Sequence, residues 1–358
     1  MDIRLFDYDL PERFIAQFPV EPRDSSKLMV LDPQSQQISH HIFTEFPDYL
    51  QSGDVIVLND TRVIPARLHA TKASGGKAEI LLLKQKDPLH WYALVGGKRI
   101  RIGSELAINQ SDVRARIVEN LEGSERLVRF SQEINPWLED VGEIPLPPYI
   151  HERLDEPERY QTIFNRIEGS AAAPTAGLHF TPELLMALRD KGVQFAYVTL
   201  HIGLDTFQPV KSETVEAHQI HSEYARLSAE NAKIINEAKL AGKRVITIGT
   251  TATRVIESAG IISEGGDPAN PSAPLAACPW RPVTAFEDYT RLYIYPGYRW
   301  RVVDAMLTNF HLPKSSLLMM ISAFAGREFI LAAYEEAKAN EYRFFSFGDA
   351  MLIQNRIG

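Results

Sequence analysis

The chain has 358 residues, 45% hydrophobic and 23% charged, with a formal net charge of -8. That length and apolar content allow two domains around real cores and exclude a disordered chain. No apolar stretch approaches the roughly 20 residues that span a bilayer, no secretory leader pattern is present, and the lone Cys278 excludes an internal disulfide and a Cys-rich metal site.

In chain order, the first buried strand is Val55-Ile56-Val57-Leu58, which stops at Asn59-Asp60-Thr61-Arg62. Strand ends in open α/β sheets are where ligands sit; a turn with a salt-bridged arginine explains the same residues equally well. From 66 to 147 short alternating runs recur with no helix between them, which predicts a small β-barrel. Its expected strands are Ala78–Leu83, Trp91–Val95, Val113–Val118 and Arg126–Phe130, with turns at Gly75-Gly76, Gly96-Gly97 and Glu122-Gly123. Nine basic residues face two acidic ones between Arg62 and Arg101, about +7 locally. Such a run suits either a solvated sheet surface or a polyanion such as nucleic acid.

Beyond the Pro-rich Ile144–Tyr149, strands alternate with helices, so the fold class expected is α/β: a layered α/β/α domain from 1–65 and 148–358, with the barrel inserted at 66–147. Its further strands are placed at Gln194–Thr199, Arg244–Ile248, Leu292–Tyr295 and Tyr342–Phe347. Thr181-Pro182-Glu183 starts a helix that Gly192 ends, and Ser228 and Gly242 bracket another. Gly169 to Gly177 carries almost no side-chain bulk, which suits a flat ligand against the backbone or close packing. Strand, Gly249, Thr250-Thr251, helix leaves backbone N–H groups and two hydroxyls at a helix start, for a ligand or for an ordinary cap.

His218 and His221 are three apart, and His179, His201 and His311 accompany them along the chain. The spacing does not specify a metal site, so no metal is expected, and ligand hydrogen bonding or acid–base work is favoured. A satisfied buried histidine is the competing reading for any one of them.

Six segments, Asn59–Arg67, Ala172–Phe180, His201–Pro209, Glu216–Tyr224, Gly249–Arg254 and Thr308–Ser315, together with Phe344–Met351, closely resemble the S-adenosylmethionine:tRNA ribosyltransferase-isomerase family of queuosine biosynthesis. The resemblance runs in order from Phe6 to Ile353, with Asp205 where the family usually has a small residue and an apparent insertion from Asn270 to Trp280. It implies transfer and isomerisation of the ribosyl moiety of S-adenosylmethionine onto 7-aminomethyl-7-deazaguanine at the tRNA wobble position, giving epoxyqueuosine-tRNA, adenine and methionine. It also implies a monomeric cytoplasmic enzyme with no membrane association and no cofactor, S-adenosylmethionine being a consumed substrate.

That chemistry needs a base near the carbon beside the sulfonium, a donor for departing adenine and groups on the ribose hydroxyls. The catalytic set expected is therefore His179, His201, Thr206 and His311. Substrate binding is expected from Asn59, Thr61, Arg62, Thr175, Gly177, Phe180, Gly203, Phe207, His218, His221, Thr250, Thr251, Arg254 and Asn309, with Phe180 and Phe207 offering ring faces to the sulfonium. Lys98, Arg99 and Arg101 are expected to meet tRNA phosphates. Two rivals remain: a non-catalytic tRNA-binding module, for which the basic segment suffices, and a metal-dependent hydrolase.

Overall fold

The structure is a computed structural model, and it describes residues 1–121, 123–152, 154, 156–203, 209–271 and 280–356. The chain divides into one unit of Met1–Thr61, Pro148–Ile167 and Pro174–Gly358, and a second of Arg62–Pro147 with Glu168–Ala173. The division expected from sequence differs at Arg62–Pro65 and at Glu168–Ala173.

The first unit is built on a nine-stranded sheet. Its order is Phe286–Thr290, Glu223–Leu227, Gln194–Leu200, Val55–Asn59, Val245–Ile248, Ala305–Asn309, Ala350–Ile353, Lys27–Asp32, Gln37–Ile42. The four strands from Gln194–Leu200 to Ala305–Asn309 run parallel. Every residue of Val55–Asn59 is buried, as expected of a strand covered on both faces, and that is why it reads as an unbroken apolar run. Ile56, Leu58, Ile246, Ile248 and Leu307 share one face and pack with Phe43, Phe46, Phe180, Leu184 and Leu188. The helices Ala229–Leu240 and Thr250–Ser263 pack on the central strands, and none of their residues belongs to that cluster. Helix starts follow local chemistry: Thr181 and Ser228 accept hydrogen bonds from Leu184 and Asn231 N–H, and Gly192 and Gly242 follow the helix ends at φ +87° and +71°.

Two expected strands are absent from their places. Leu292–Tyr295 alternates buried and half-buried residues as a strand would, but its backbone is held by side chains: Leu292 N–H donates to Thr290 Oγ1, and Leu292 O accepts from Arg254 Nε. The sheet strand is Phe286–Thr290 instead. Tyr342–Phe347 turns rather than extends, with Phe345 at φ 68° and Asp349 clamping the Arg343 backbone N–H and guanidinium; the strand follows at Ala350–Ile353.

The second unit is a barrel. Strands Arg67–Lys72, Lys77–Asp87, His90–Gly96, Glu125–Phe130, Arg114–Asn120 and Glu105–Ile108 pair in that order, and Glu105–Ile108 closes back on Arg67–Lys72. Closure removes the exposed edges that a free sheet would present. Leu68, Ile80, Leu106, Ile117, Val128 and Phe130 are among its buried residues. All four expected barrel strands lie within or overlap observed ones; Arg67–Lys72 and Glu105–Ile108 are additional. Among the described residues no single helix is long and apolar enough to cross a membrane.

Candidate active site

The topology gathers the polar segments along one edge of the nine-stranded sheet. The parallel strands end there at Asn59, Leu200, Ile248 and Asn309. Ala350–Ile353 is antiparallel to Ala305–Asn309, with Ala350 opposite Asn309, and Lys27–Asp32 runs parallel to Ala350–Ile353, so Asp349 and Ser26 start at the same edge. Glu223, the first residue of a strand antiparallel to Gln194–Leu200, joins them. This is the carboxyl edge at which open α/β sheets bind ligands.

Asn59 ties the middle of the edge together. Its Nδ2 donates to Leu200 O (3.1 Å) and Thr251 Oγ1 (3.2 Å), and its Oδ1 accepts from the N–H groups of Thr61 (3.2 Å) and Leu200 (3.0 Å). Both amide hydrogens and both lone pairs are thereby used within the protein, so Asn59 holds two strand ends and a helix start in register. The helix start is Thr250–Ser263, entered through Gly249 at φ 91°, a left-handed conformation that favours glycine. Its first backbone bond runs from Thr253 N to Gly249 O, which leaves the N–H groups of Thr250, Thr251 and Ala252 outside the helical ladder.

His201 follows the Gln194–Leu200 strand and lies half-buried. Its ring stacks on Tyr224 with centroids 5.0 Å apart, and Nδ1 sits 2.8 Å from Thr61 Oγ1. Thr61 Oγ1 also lies 3.4 Å from Ile167 O; when its proton points to that carbonyl, it accepts from Nδ1–H. The resulting tautomer places the lone pair on Nε2, which has no hydrogen-bond partner among the described residues. Burial pushes the His201 pKa down to about 4, opposed by the nearby Asp60 carboxylate, so the ring is neutral at pH 7.

His179 is placed differently. It is 5% exposed, stacks on Phe43 and uses both nitrogens within the protein: Nδ1 lies 2.8 Å from Ser26 Oγ and Nε2 3.3 Å from Asn309 Nδ2. Thr175 Oγ1 donates to Asn309 Oδ1 at 3.1 Å, so Thr175, Asn309, His179 and Ser26 form one chain. Burial holds its pKa near 4 as well, with Asp349 working the other way and Arg343 and Arg23 adding to the depression. A small cleft lined by Pro19, Arg23, Ser346 and Gly348 reaches it. His311 follows Asn309 by two residues, its Nε2 lies 2.7 Å from Thr308 Oγ1, and burial alone lowers its pKa to about 3.

Two expectations are corrected here, at Phe180 and Gly177. Phe180 presents no face to a ligand: it is fully buried, with its ring edge-on to Phe43, Phe46 and Phe164 in the hydrophobic core. At Gly177 the bare backbone is already covered by the protein, since an added Cβ would meet Phe164 Cζ at 2.7 Å and Thr162 Cγ2 at 2.8 Å. Arg254 is anchored on one side: Nη1 pairs with Glu223 Oε2 and Nε donates to Leu292 O, while Glu223 Oε1 accepts the N–H of Gly203 at 2.9 Å; its buried Nη2 has no hydrogen-bond partner among the described residues and stays available to a ligand. That buried pair therefore fixes the backbone at Gly203.

A family model described as queuosine biosynthesis protein matches residues 3–353. The chain belongs to this family. It is 49% identical over 357 residues to the S-adenosylmethionine:tRNA ribosyltransferase-isomerase of Desulfitobacterium hafniense, covering 99% of this chain and 100% of that one. The crystal structure of the S-adenosylmethionine tRNA ribosyltransferase of Thermotoga maritima superposes with a TM-score of 0.54 at 38% identity, covering 98% of this chain and 99% of that one.

Within the family's sheet edge, the remaining expected residues are spread out. His218 is half-buried and edge-on to Tyr293, with its pKa lowered by burial and then by His221; His221 itself is exposed. Arg62 is half-buried in the short strand Thr61–Val63 of the barrel unit's boundary. Thr206, Phe207 and Asp205 lie outside the described residues, as does most of the Asn270–Trp280 stretch. Lys98, Arg99 and Arg101 are exposed on the barrel. Sequence reasoning passed over Ser26 and Glu223 as site residues. Glu223 stood within a quoted motif and its acidic charge two strands from Arg254 was the available signal, whereas Ser26 had none. Among the described residues no three His, Cys, Asp or Glu side chains gather within reach of one metal ion.

Proposed function

We propose that the protein transfers and isomerises the ribosyl moiety of S-adenosylmethionine onto 7-aminomethyl-7-deazaguanine at the wobble position of tRNA, giving epoxyqueuosine-tRNA with release of adenine and methionine. The observation that carries this reading is the end-to-end match to a ribosyltransferase-isomerase, which takes in every segment that builds the sheet edge. S-adenosylmethionine is consumed, so no cofactor is needed. The enzyme works as a monomer in the cytoplasm, where its tRNA substrate is.

His201 is the base. The carbon beside the sulfonium loses its proton to Nε2, whose lone pair meets no donor among the described residues, while Thr61 fixes the ring through Nδ1. His179 serves as a holder, keeping Asn309 and through it Thr175 facing the substrate. The free N–H groups of Thr250 and Thr251 at a helix start suit the methionine carboxylate. Gly203, His218, His221, Arg62, Thr206, Phe207 and His311 complete the substrate-binding and catalytic set on the strength of the motifs, and Lys98, Arg99 and Arg101 hold tRNA phosphates.

The test is incubation with S-adenosylmethionine and tRNA bearing the deazaguanine precursor, followed by nucleoside mass analysis. Adenine and methionine are released together, and only with that tRNA. Release of S-adenosylhomocysteine would mean methyl transfer and would overturn the reading.

A further inference from the structure

On the outer face of the barrel, three arginines meet without partners. Arg114 and Arg116 alternate with buried Ala115 and Ile117 along Arg114–Asn120, so both point outward about 7 Å apart. Arg129 is exposed on the neighbouring strand, directly opposite Arg116 in the register. Like charges facing each other across two strands destabilise a sheet, and opposite charges are the usual choice there. Among the described residues none of the three arginines makes an ion pair or side-chain hydrogen bond, and the exposed Glu105, opposite Arg116 on its other side, makes none either. A second observation lies in the turn packed against the middle of the same strand. Gly103 N–H donates to Ile117 O, which seats the exposed turn at 97–104 against Arg114–Asn120. In that turn Arg99 adopts φ 61°, a conformation that L side chains rarely take and that glycine or asparagine would hold with less strain.

The geometry points to Arg114, Arg116 and Arg129, with the exposed turn that carries Arg99 seated against their strand, as a docking surface for an RNA phosphate backbone. The facing arginine pair on an exposed face is unfavourable by itself, and a line of anions relieves it; the exposed Arg99, in a turn seated against the same strand, adds its charge. Exposed guanidiniums hold phosphate by two parallel N–H bonds, which is the geometry that ammonium groups lack. The inference deepens the proposed function, since it rests on tRNA being the substrate, and it extends the contact beyond Lys98, Arg99 and Arg101.

The experiment measures binding of an in vitro transcribed tRNA, without S-adenosylmethionine, between 50 and 200 mM salt. Replacing Arg114, Arg116 and Arg129 together by Gln flattens the slope of log K against log salt by roughly 2 to 3, at about 0.7 to 0.9 per phosphate contact. Affinity falls alike for tRNAs of different sequence. The triple Lys replacement keeps most of the slope, because it keeps the charges. Arg129→Gln alone raises the melting temperature by about 1 to 3 °C, since it relieves the facing pair. A triple Gln variant that melts at or above the wild-type temperature and keeps the wild-type salt slope overturns the surface. Binding is read apart from turnover. A wild type that shows the full slope but no ribosyl transfer would leave this surface standing and remove the proposed chemistry.

Discussion

The two halves of the sheet edge treat their histidines in opposite ways. At the Asn309 end, His179 is enclosed by Phe43, Ser26 and Asn309, and both ring nitrogens are consumed in holding other groups. At the Leu200 end, His201 is half-buried, one nitrogen is anchored to Thr61 and the other is left with its lone pair. Both rings are neutral at pH 7 for the same reason, burial, so protonation state does not separate them. What separates them is hydrogen-bond capacity left over. A group that has spent both nitrogens builds the site, and one that has kept a nitrogen can act in it.

The contrast is broken or sustained first by removing each ring. His201→Ala is expected to lower kcat by about 10² to 10⁴ with the KM for tRNA nearly unchanged, as follows when a proton-transfer group is lost. His179→Gln is expected to keep kcat within about tenfold. Steady-state kinetics on the two variants, with precursor-bearing tRNA, check both. Equal losses would show that the leftover nitrogen of His201 is not what matters.

Acid sharpens the same contrast through stability. His179 has a folded pKa of about 4 against an ordinary value near 6.5. Between those values the unfolded chain takes up a proton that the folded one refuses, so stability falls as pH drops through this window and levels off below it. Over about 2.5 pH units the loss attributable to His179 is about 3 kcal/mol. Denaturant titrations at pH 7 and pH 4.5 should show His179→Gln losing less stability over this interval than the wild type. His311 and His201 shift in the same direction and remain in both proteins, so some acid sensitivity persists. An identical pH dependence in variant and wild type would place the His179 ring outside the buried network.

Much of this was legible before the fold. Four of the six barrel strands, the caps at Thr181 and Ser228, and the strand ends at Asn59 and Ile248 follow from alternation and turn chemistry, which are local. The roles of the two histidines are not local. His179 meets Ser26 and Asn309 across 153 and 130 residues of chain, and His201 meets Thr61 across 140, so no spacing near either ring distinguishes them. Phe180 misleads for a related reason. An aromatic beside a motif histidine reads as a ligand-facing ring, yet the helix that starts at Pro182 carries Leu184 and Leu188 into the same core and draws Phe180 with them. Leu292–Tyr295 has the alternation of a strand, but a period of two reports which faces are buried and says nothing about which groups take the backbone hydrogen bonds.

The smallest expected effect tests the tautomer that makes His201 available. Thr61 is fully buried, and its hydroxyl stands between His201 Nδ1 and Ile167 O. When its own proton is directed to the carbonyl, Thr61 Oγ1 accepts, and the imidazole proton is held on Nδ1 and the lone pair on Nε2. Thr61→Val keeps the shape of the side chain and removes that acceptor. Nδ1–H then has no partner, the other tautomer becomes competitive, and the ring loses the bond that sets its angle on Tyr224. One such hydrogen bond is worth about 1 kcal/mol, so kcat is expected to fall by roughly fivefold to tenfold. Thr61→Ser restores the acceptor and is expected to recover most of the rate, which a purely structural role of the methyl group would not allow. A Val variant with wild-type kcat would mean that His201 is oriented by its stacking on Tyr224 alone.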